Sequence, residues 1–187
     1  MYMDNVEKII SGNVQLAAFW SNSHGWAPSS AAELMSKSRL DWQVSLSHSL
    51  RKWSSIKENE SGDLILAWAN LGALVEGSMK LFLSVYYEDY SNDEGKYLDF
   101  KNIHQIDPDI LSFEKLKQFF RVKELVNENW FHFIDRVQQR RNAIHAFKDR
   151  PIGTAEEFYE DIENYLSFLR DINSGLPYPD EIMGPDF

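Results

Sequence analysis

The densest run of positive charge in the chain, RVQQRRNAIHAFKDRP at 136–151, sets Arg136, Arg140, Arg141, Lys148 and Arg150 around His145. A guanidinium grips a phosphate through two parallel N–H donors and stabilises the charge that builds there in a transition state. An imidazole, with an ordinary pKa of about 6.5, moves a proton to or from an oxygen at neutral pH. The two together suit phosphodiester cleavage. In RNA the nucleophile is the substrate's own 2′-hydroxyl, so this chemistry calls for no metal, no cofactor and no covalent enzyme intermediate. On a regular helix, residues five apart stand about 140° apart around the axis, whereas residues four apart share a face. Either the helix loosens at its end and Arg140 meets His145, or Arg141 is the working arginine, or Arg140 serves the histidine of a second copy. A structural reading competes: basic side chains in a last helical turn also offset the helix dipole.

Other constellations carry less. His132 lies four residues after Glu128, a spacing that can hold a metal on one helix face, but no second pair of ligands accompanies it. The acidic stretch EEFYEDIE at 156–163 reads as a solvated helix face. Trp20, Trp26, Trp42, Trp53, Trp68 and Trp130 read as core or interface anchors rather than base-stacking platforms. Neither a glycine-rich phosphate loop nor a Gly-x-Ser-x-Gly elbow occurs.

The elements that must position the 136–151 run are helices, because apolar residues recur at three and four positions and strand-like alternation is nearly absent. A first helix is predicted over 4–20, with Ile9, Ile10, Leu16, Phe19 and Trp20 as its apolar positions. After the turn-rich SNSHGWAPSS (21–30), a helix over about 31–56 follows, opened by a Ser30–Glu33 capping box. The most strongly patterned helix spans about 63–88, with Leu64, Trp68, Leu71, Val75, Met79, Phe82 and Tyr86 on one side. Ala69, Gly72, Ala73 and Gly77 form a band of small residues there. Since glycine costs about 1 kcal/mol in a helix interior, that band implies a closely packed neighbour. A polar connection (91–109) leads to helices over about 112–122 and 123–147, and a last helix covers 154–173 with Phe158, Tyr159, Ile162, Tyr165, Leu166 and Leu169 inward. The expected architecture is all-α: an up-and-down bundle of four main helices plus an N-terminal helix. One domain is expected over 1–187, with its core at about 30–173 and an extended tail over 174–187.

The bulk numbers limit the function. With 187 residues, 43% hydrophobic and 14% aromatic, there is ample material for a dry core. A formal charge of −10 argues against a general nucleic-acid coat, though not against one local phosphate site. The absence of cysteine leaves no disulfide framework and fits a cytoplasmic location. The N-terminus has no basic segment ahead of an apolar one, so no signal peptide is expected. The apolar run Leu64 to Val75 is too short to span a bilayer, so no membrane partner is expected either.

Arg140, four intervening residues, His145 and then aromatic Phe147 resemble the R-x4-6-H motif of the HEPN superfamily. That family usually has a polar residue directly after the arginine; here Arg141 stands there and Asn142 follows. The helix carrying LGALVEGSMKLFL (71–83) is similar to the family's long core helix, with Glu76 at its acidic position. The resemblance covers roughly 40–173. It implies a metal-independent endoribonuclease, often the toxin of a toxin–antitoxin pair or part of phage defence. It also implies a homodimer in which two motifs face one cleft. On that reading Arg140 binds phosphate, His145 is acid or base, Glu76 orients them, and Asn142 or Arg141 donates a further hydrogen bond. A second reading is a non-catalytic HEPN-like scaffold that pairs with a co-encoded protein, which the negative charge and the departure after Arg140 favour. A third is a helical domain whose Arg/His cluster is structural.

Overall fold

A computed structural model describes residues 1–57, 60–101, 103–180 and 183–187. The protein is an all-α bundle. Among the described residues there are eight α-helices and no strand, only an isolated bridge between Leu98 and Gln105. The helices are α1 (Tyr2–Trp20), α2 (Ser29–Lys37), α3 (Leu40–Ser49), α4 (Ser61–Val85), α5 (Tyr87–Asn92), α6 (Phe113–Val122), α7 (Glu128–Arg141) and α8 (Ala155–Ser174). Short 3₁₀ turns close α3 (Leu50–Trp53), precede α6 (Pro108–Ile110) and extend α7 (Asn142–His145).

Helix α4 is the central post. It packs on α7 and α8 and also on α2 and α3, while α1 packs on α3 and α8. Trp68, Leu71, Leu74, Val75 and Met79 are fully buried on it, meeting Phe120, Ile134, Val137, Phe158 and Tyr165 from α6, α7 and α8. At 25 residues α4 is long and apolar enough to cross a membrane, further than the 64–75 run suggests, but 61% of its most apolar stretch is buried inside the protein. A core helix meets the same length and composition test.

The single helix expected over 31–56 is two. It breaks at Ser38 and Arg39, whose ψ angles of 143° and 61° leave the helical region. Serine hydroxyls compete for the backbone at this point: Ser36 donates to the Glu33 carbonyl (2.8 Å) and Ser38 to the Leu34 carbonyl (2.9 Å). The Ser30–Glu33 capping box does not form. The helix begins two residues earlier, at Ser29, Ser30 donates to Glu88, and Glu33 pairs with Lys37. A capping box does form at α8, where Thr154 and Glu157 satisfy each other's amides. The helix expected over 123–147 starts later, at an Asn127 cap, because Glu124 adopts a left-handed φ of 52° and ends α6. The helix expected over 63–88 stops at Val85, and the remainder turns at Tyr86 into α5. The tail docks rather than floats: the Phe187 ring sits against Gly12, Arg170 donates to the Phe187 carbonyl at 2.6 Å, and Tyr178 packs on Trp20.

The small-residue band of α4 meets two different neighbours. Gly72 lies under the Cβ and Cγ of Arg141 from α7, and Gly77 lies under the Gln43 amide from α3. A methyl group at Gly72 would sit 2.5 Å from Arg141 Cγ, so glycine lets that arginine lie flat on the helix.

Candidate functional site

The basic run splits at the end of α7. Arg140 turns inward and keeps only 8% of its surface exposed. Its guanidinium lies 4.6 Å from the centre of the Trp68 ring, pairs with Glu157 at 2.8 Å and approaches Asp161 at 3.8 Å. Asp161 is itself buried and also takes two hydrogen bonds from Arg136 (2.9 and 2.5 Å) and one from Asn164 (2.9 Å). The Thr154 amide, together with Arg140 and Arg136, holds the Glu157 carboxyl below its ordinary range. Gly153, at φ +69°, brings the following loop against the Arg140 guanidinium, where a side chain would collide. Arg140 therefore clamps α7, α8 and the 146–154 loop together.

Arg141 points the other way. Its stem crosses Gly72 and its guanidinium donates to Glu76 at 3.1 Å. Glu76 also holds Lys80 at 3.0 Å, so one carboxylate links two cations. Arg141 keeps about a third of its side chain in solvent. Glu76, matched by the resemblance to the family's acidic position, thus pairs with Arg141 and not with Arg140.

The helix tightens over Asn142–His145 instead of loosening. A 3₁₀ turn advances about 120° per residue against about 100° in an α-helix. Three such steps carry His145 about 60° further round. It ends about 200° from Arg140, on the opposite side of the axis, and about 100° from Arg141. His145 is exposed, as are Ile144 and Phe147, whose surface is fully open. Asn142 is half-buried. Ala146 has a φ of +25°, in the left-handed region that costs an L-residue about 1–2 kcal/mol, and closes a tight turn in which the Phe147 amide reaches the His145 carbonyl. Within one chain Arg140 and His145 do not meet.

What the sequence reading missed is the carboxylate side of the clamp. The 156–163 stretch is not uniformly solvated: Glu156, Glu160 and Glu163 are exposed, but Asp161 is buried. Its register was readable, since Asp161 falls among Phe158, Ile162 and Tyr165, the residues expected to face inward. Trp20 and Trp68 are core anchors, whereas Trp42 is 58% exposed. Among the described residues no three His, Asp or Glu side chains converge as metal ligands. No protein-family model, no curated protein and no solved structure matches the chain.

Proposed function

We propose that the protein is a cytoplasmic, metal-independent endoribonuclease of HEPN type, with Arg141 rather than Arg140 as the phosphate-binding arginine. The observation that carries this reading is the Glu76–Arg141 pair laid over Gly72, one 3₁₀ turn from the exposed His145. Arg141 is oriented, part-exposed and held by one carboxylate that can let it go. Arg140 is committed to the interior.

In this mechanism the imidazole of His145 takes the 2′-hydroxyl proton as that oxygen attacks the adjacent phosphorus. Arg141 stabilises the charge gathering on the phosphoryl oxygens. The 5′-oxygen leaves with a proton from a second acid, giving a 2′,3′-cyclic phosphate and a free 5′-hydroxyl. One chain supplies one such histidine. A homodimer that faces the two α7 ends supplies base and acid together, and also lets Arg141 of one copy serve the histidine of the other. Asn142 is the adjacent amide donor, and Phe147 offers an open aromatic face beside the phosphate. The biological setting that fits is a toxin–antitoxin or phage-defence pair, with a cognate antitoxin as partner.

Purified protein should cleave RNA in EDTA. His145→Ala should abolish cleavage, and Arg141→Ala should lower it by roughly 10²–10³, the usual loss for one preorganised donor. Full activity in His145→Ala would sink the assignment. One observation favours the non-catalytic alternative: Asp161, Glu157 and Glu76 pair Arg136, Arg140 and Arg141. That reading gives no cleavage of any RNA and a stable complex with a co-encoded protein, detectable by co-purification from the native host.

A further inference from the structure

A second cationic feature lies on the α2–α3 side of α4. Where α2 breaks before α3, the chain leaves a groove of about 450 Å³ walled by Lys37, Arg39, Trp42, Gln43, Gly77 and Lys80. Three cations face it, and Asp109 is the one carboxylate in the described lining. Each of the three holds one carboxylate partner, Glu33, Asp41 or Glu76, which an incoming phosphate would have to displace.

Two details give the groove chemical character. The Arg39 guanidinium lies 4.0 Å from the centre of the Trp42 ring, held there by a bidentate pair with Asp41 (2.8 and 2.6 Å). A large apolar ring left 58% exposed, and already carrying a planar cation, is a stacking platform in search of a third layer. Beside it, Gln43 lies with its amide oxygen against Gly77 and donates to the Leu74 carbonyl at 2.8 Å, so this part of the groove wall is fixed. The cations are paired at the surface, Lys37 with Glu33 and Arg39 with Asp41, and such exposed pairs exchange readily for a phosphate.

The groove also connects to the α7 end. Lys80 lines it and shares the Glu76 carboxylate with Arg141, at 3.0 and 3.1 Å. Lys80 and Arg141 thus flank one carboxylate, and a strand held at Lys80 reaches Arg141 with its next phosphate by displacing Glu76. We infer that this groove binds one nucleotide of single-stranded RNA, the base stacked on Trp42 and the flanking phosphate on Lys80, and so delivers the neighbouring phosphodiester to Arg141. The inference rests on the ribonuclease reading for its last step only; the binding step stands alone. Duplex RNA is a poor ligand for this groove, because its bases are already stacked on one another.

The test uses the full-length chain with His145→Ala, so that RNA is not consumed, and a fluorescein-labelled single-stranded RNA decamer read by fluorescence anisotropy. Adding Trp42→Ala should weaken binding roughly tenfold, and Trp42→Phe should restore most of it. Adding Lys80→Gln should lower the slope of log affinity against log salt by about 0.7, the value for one phosphate contact on a single strand. A duplex of the same sequence should bind at least several-fold more weakly. Unchanged affinity in both Trp42→Ala and Lys80→Gln overturns the groove assignment, whatever the wild-type chain does to RNA. No measurable RNA binding overturns it too. If the groove variants lose affinity while the wild-type protein cuts no RNA, the groove stands and the ribonuclease reading falls.

Discussion

Replacing Arg140 with methionine separates structure from chemistry at the end of α7. The side chain is 10% exposed, stacks on Trp68, pairs with Glu157 at 2.8 Å and stands 3.8 Å from Asp161. Breaking a buried ion pair by removing one partner costs about 3–5 kcal/mol when the other is stranded. Here Asp161 keeps two bonds from Arg136 and one from Asn164, and Glu157 is nearly half exposed and can turn to water. The ion-pair cost thus falls below that range, at roughly 2–3 kcal/mol. The lost cation–π contact adds about 1 kcal/mol, and the methionine stem recovers part of the packing. The sum is about 3 kcal/mol. For a domain of this size each kcal/mol moves Tm by about 2–4 °C, so the variant should melt about 6–12 °C lower.

Arg141→Met is the control. Its side chain is a third exposed, and Glu76 keeps Lys80, so the loss should be about 1 kcal/mol and the shift in Tm no more than about 4 °C. Thermal melts followed by far-ultraviolet circular dichroism decide between them, with RNA cleavage assayed well below both transitions. The expected pattern is crossed: Arg140→Met unstable but active when cold, Arg141→Met stable but slower by roughly 10²–10³. The reasoning is refuted if Arg140→Met melts within about 2 °C of wild type. It is refuted equally if that variant, still folded, has lost all cleavage.

Gly72→Ala sets a helix-propensity gain of about 1 kcal/mol against a methyl 2.5 Å from Arg141 Cγ. Overpacking costs about 1–3 kcal/mol, so the variant should be no more stable than wild type while losing cleavage as Arg141→Met does. Glu124 holds a left-handed φ of 52° at the end of α6, so Glu124→Gly should stabilise by about 1 kcal/mol in urea titrations. The pH limits of folding follow from shifted groups. Glu157 is held down by the Thr154 amide and then Arg140, and Glu114 by Gln118 and then Lys117, so their stabilisation is present above the ordinary carboxylate range and drains away as pH falls through the lowered values. Burial pushes Tyr165 up to about 12 from 10, so its contribution is complete below pH 10 and lost on approaching 12. Melts across pH should therefore decline on both flanks, and Tyr165→Phe should remove only its own share of the alkaline decline, because burial raises Tyr178 to about 12 as well.

The fold was legible wherever one periodicity governed a long segment. On α1, α4 and α8 the apolar positions named from spacing are largely those now buried, because burial of one face is what selects a helix of that length. It was illegible where a local side chain outbid the pattern. Ser36 and Ser38 took backbone carbonyls and broke a helix whose apolar spacing continued unbroken. Glu124 entered a conformation that spacing does not register.

The candidate site shows the same division in sharper form. Motif spacing picked out Arg140, and helical geometry picked out Arg141. Neither could see that Asp161, 21 residues on and labelled solvated for its acidic neighbours, would be buried and draw one of the two inward. Side-chain polarity told little about Asp161, but its position between Phe158 and Ile162 on the buried face of α8 did. A buried carboxylate must be matched by a cation on the facing helix, and α7 presents both Arg136 and Arg140, four residues apart on one face, to Asp161. That requirement leaves Arg141 as the arginine on α7's last turn that the core does not consume, and it is the one that Glu76 and Gly72 hold at the surface beside Lys80.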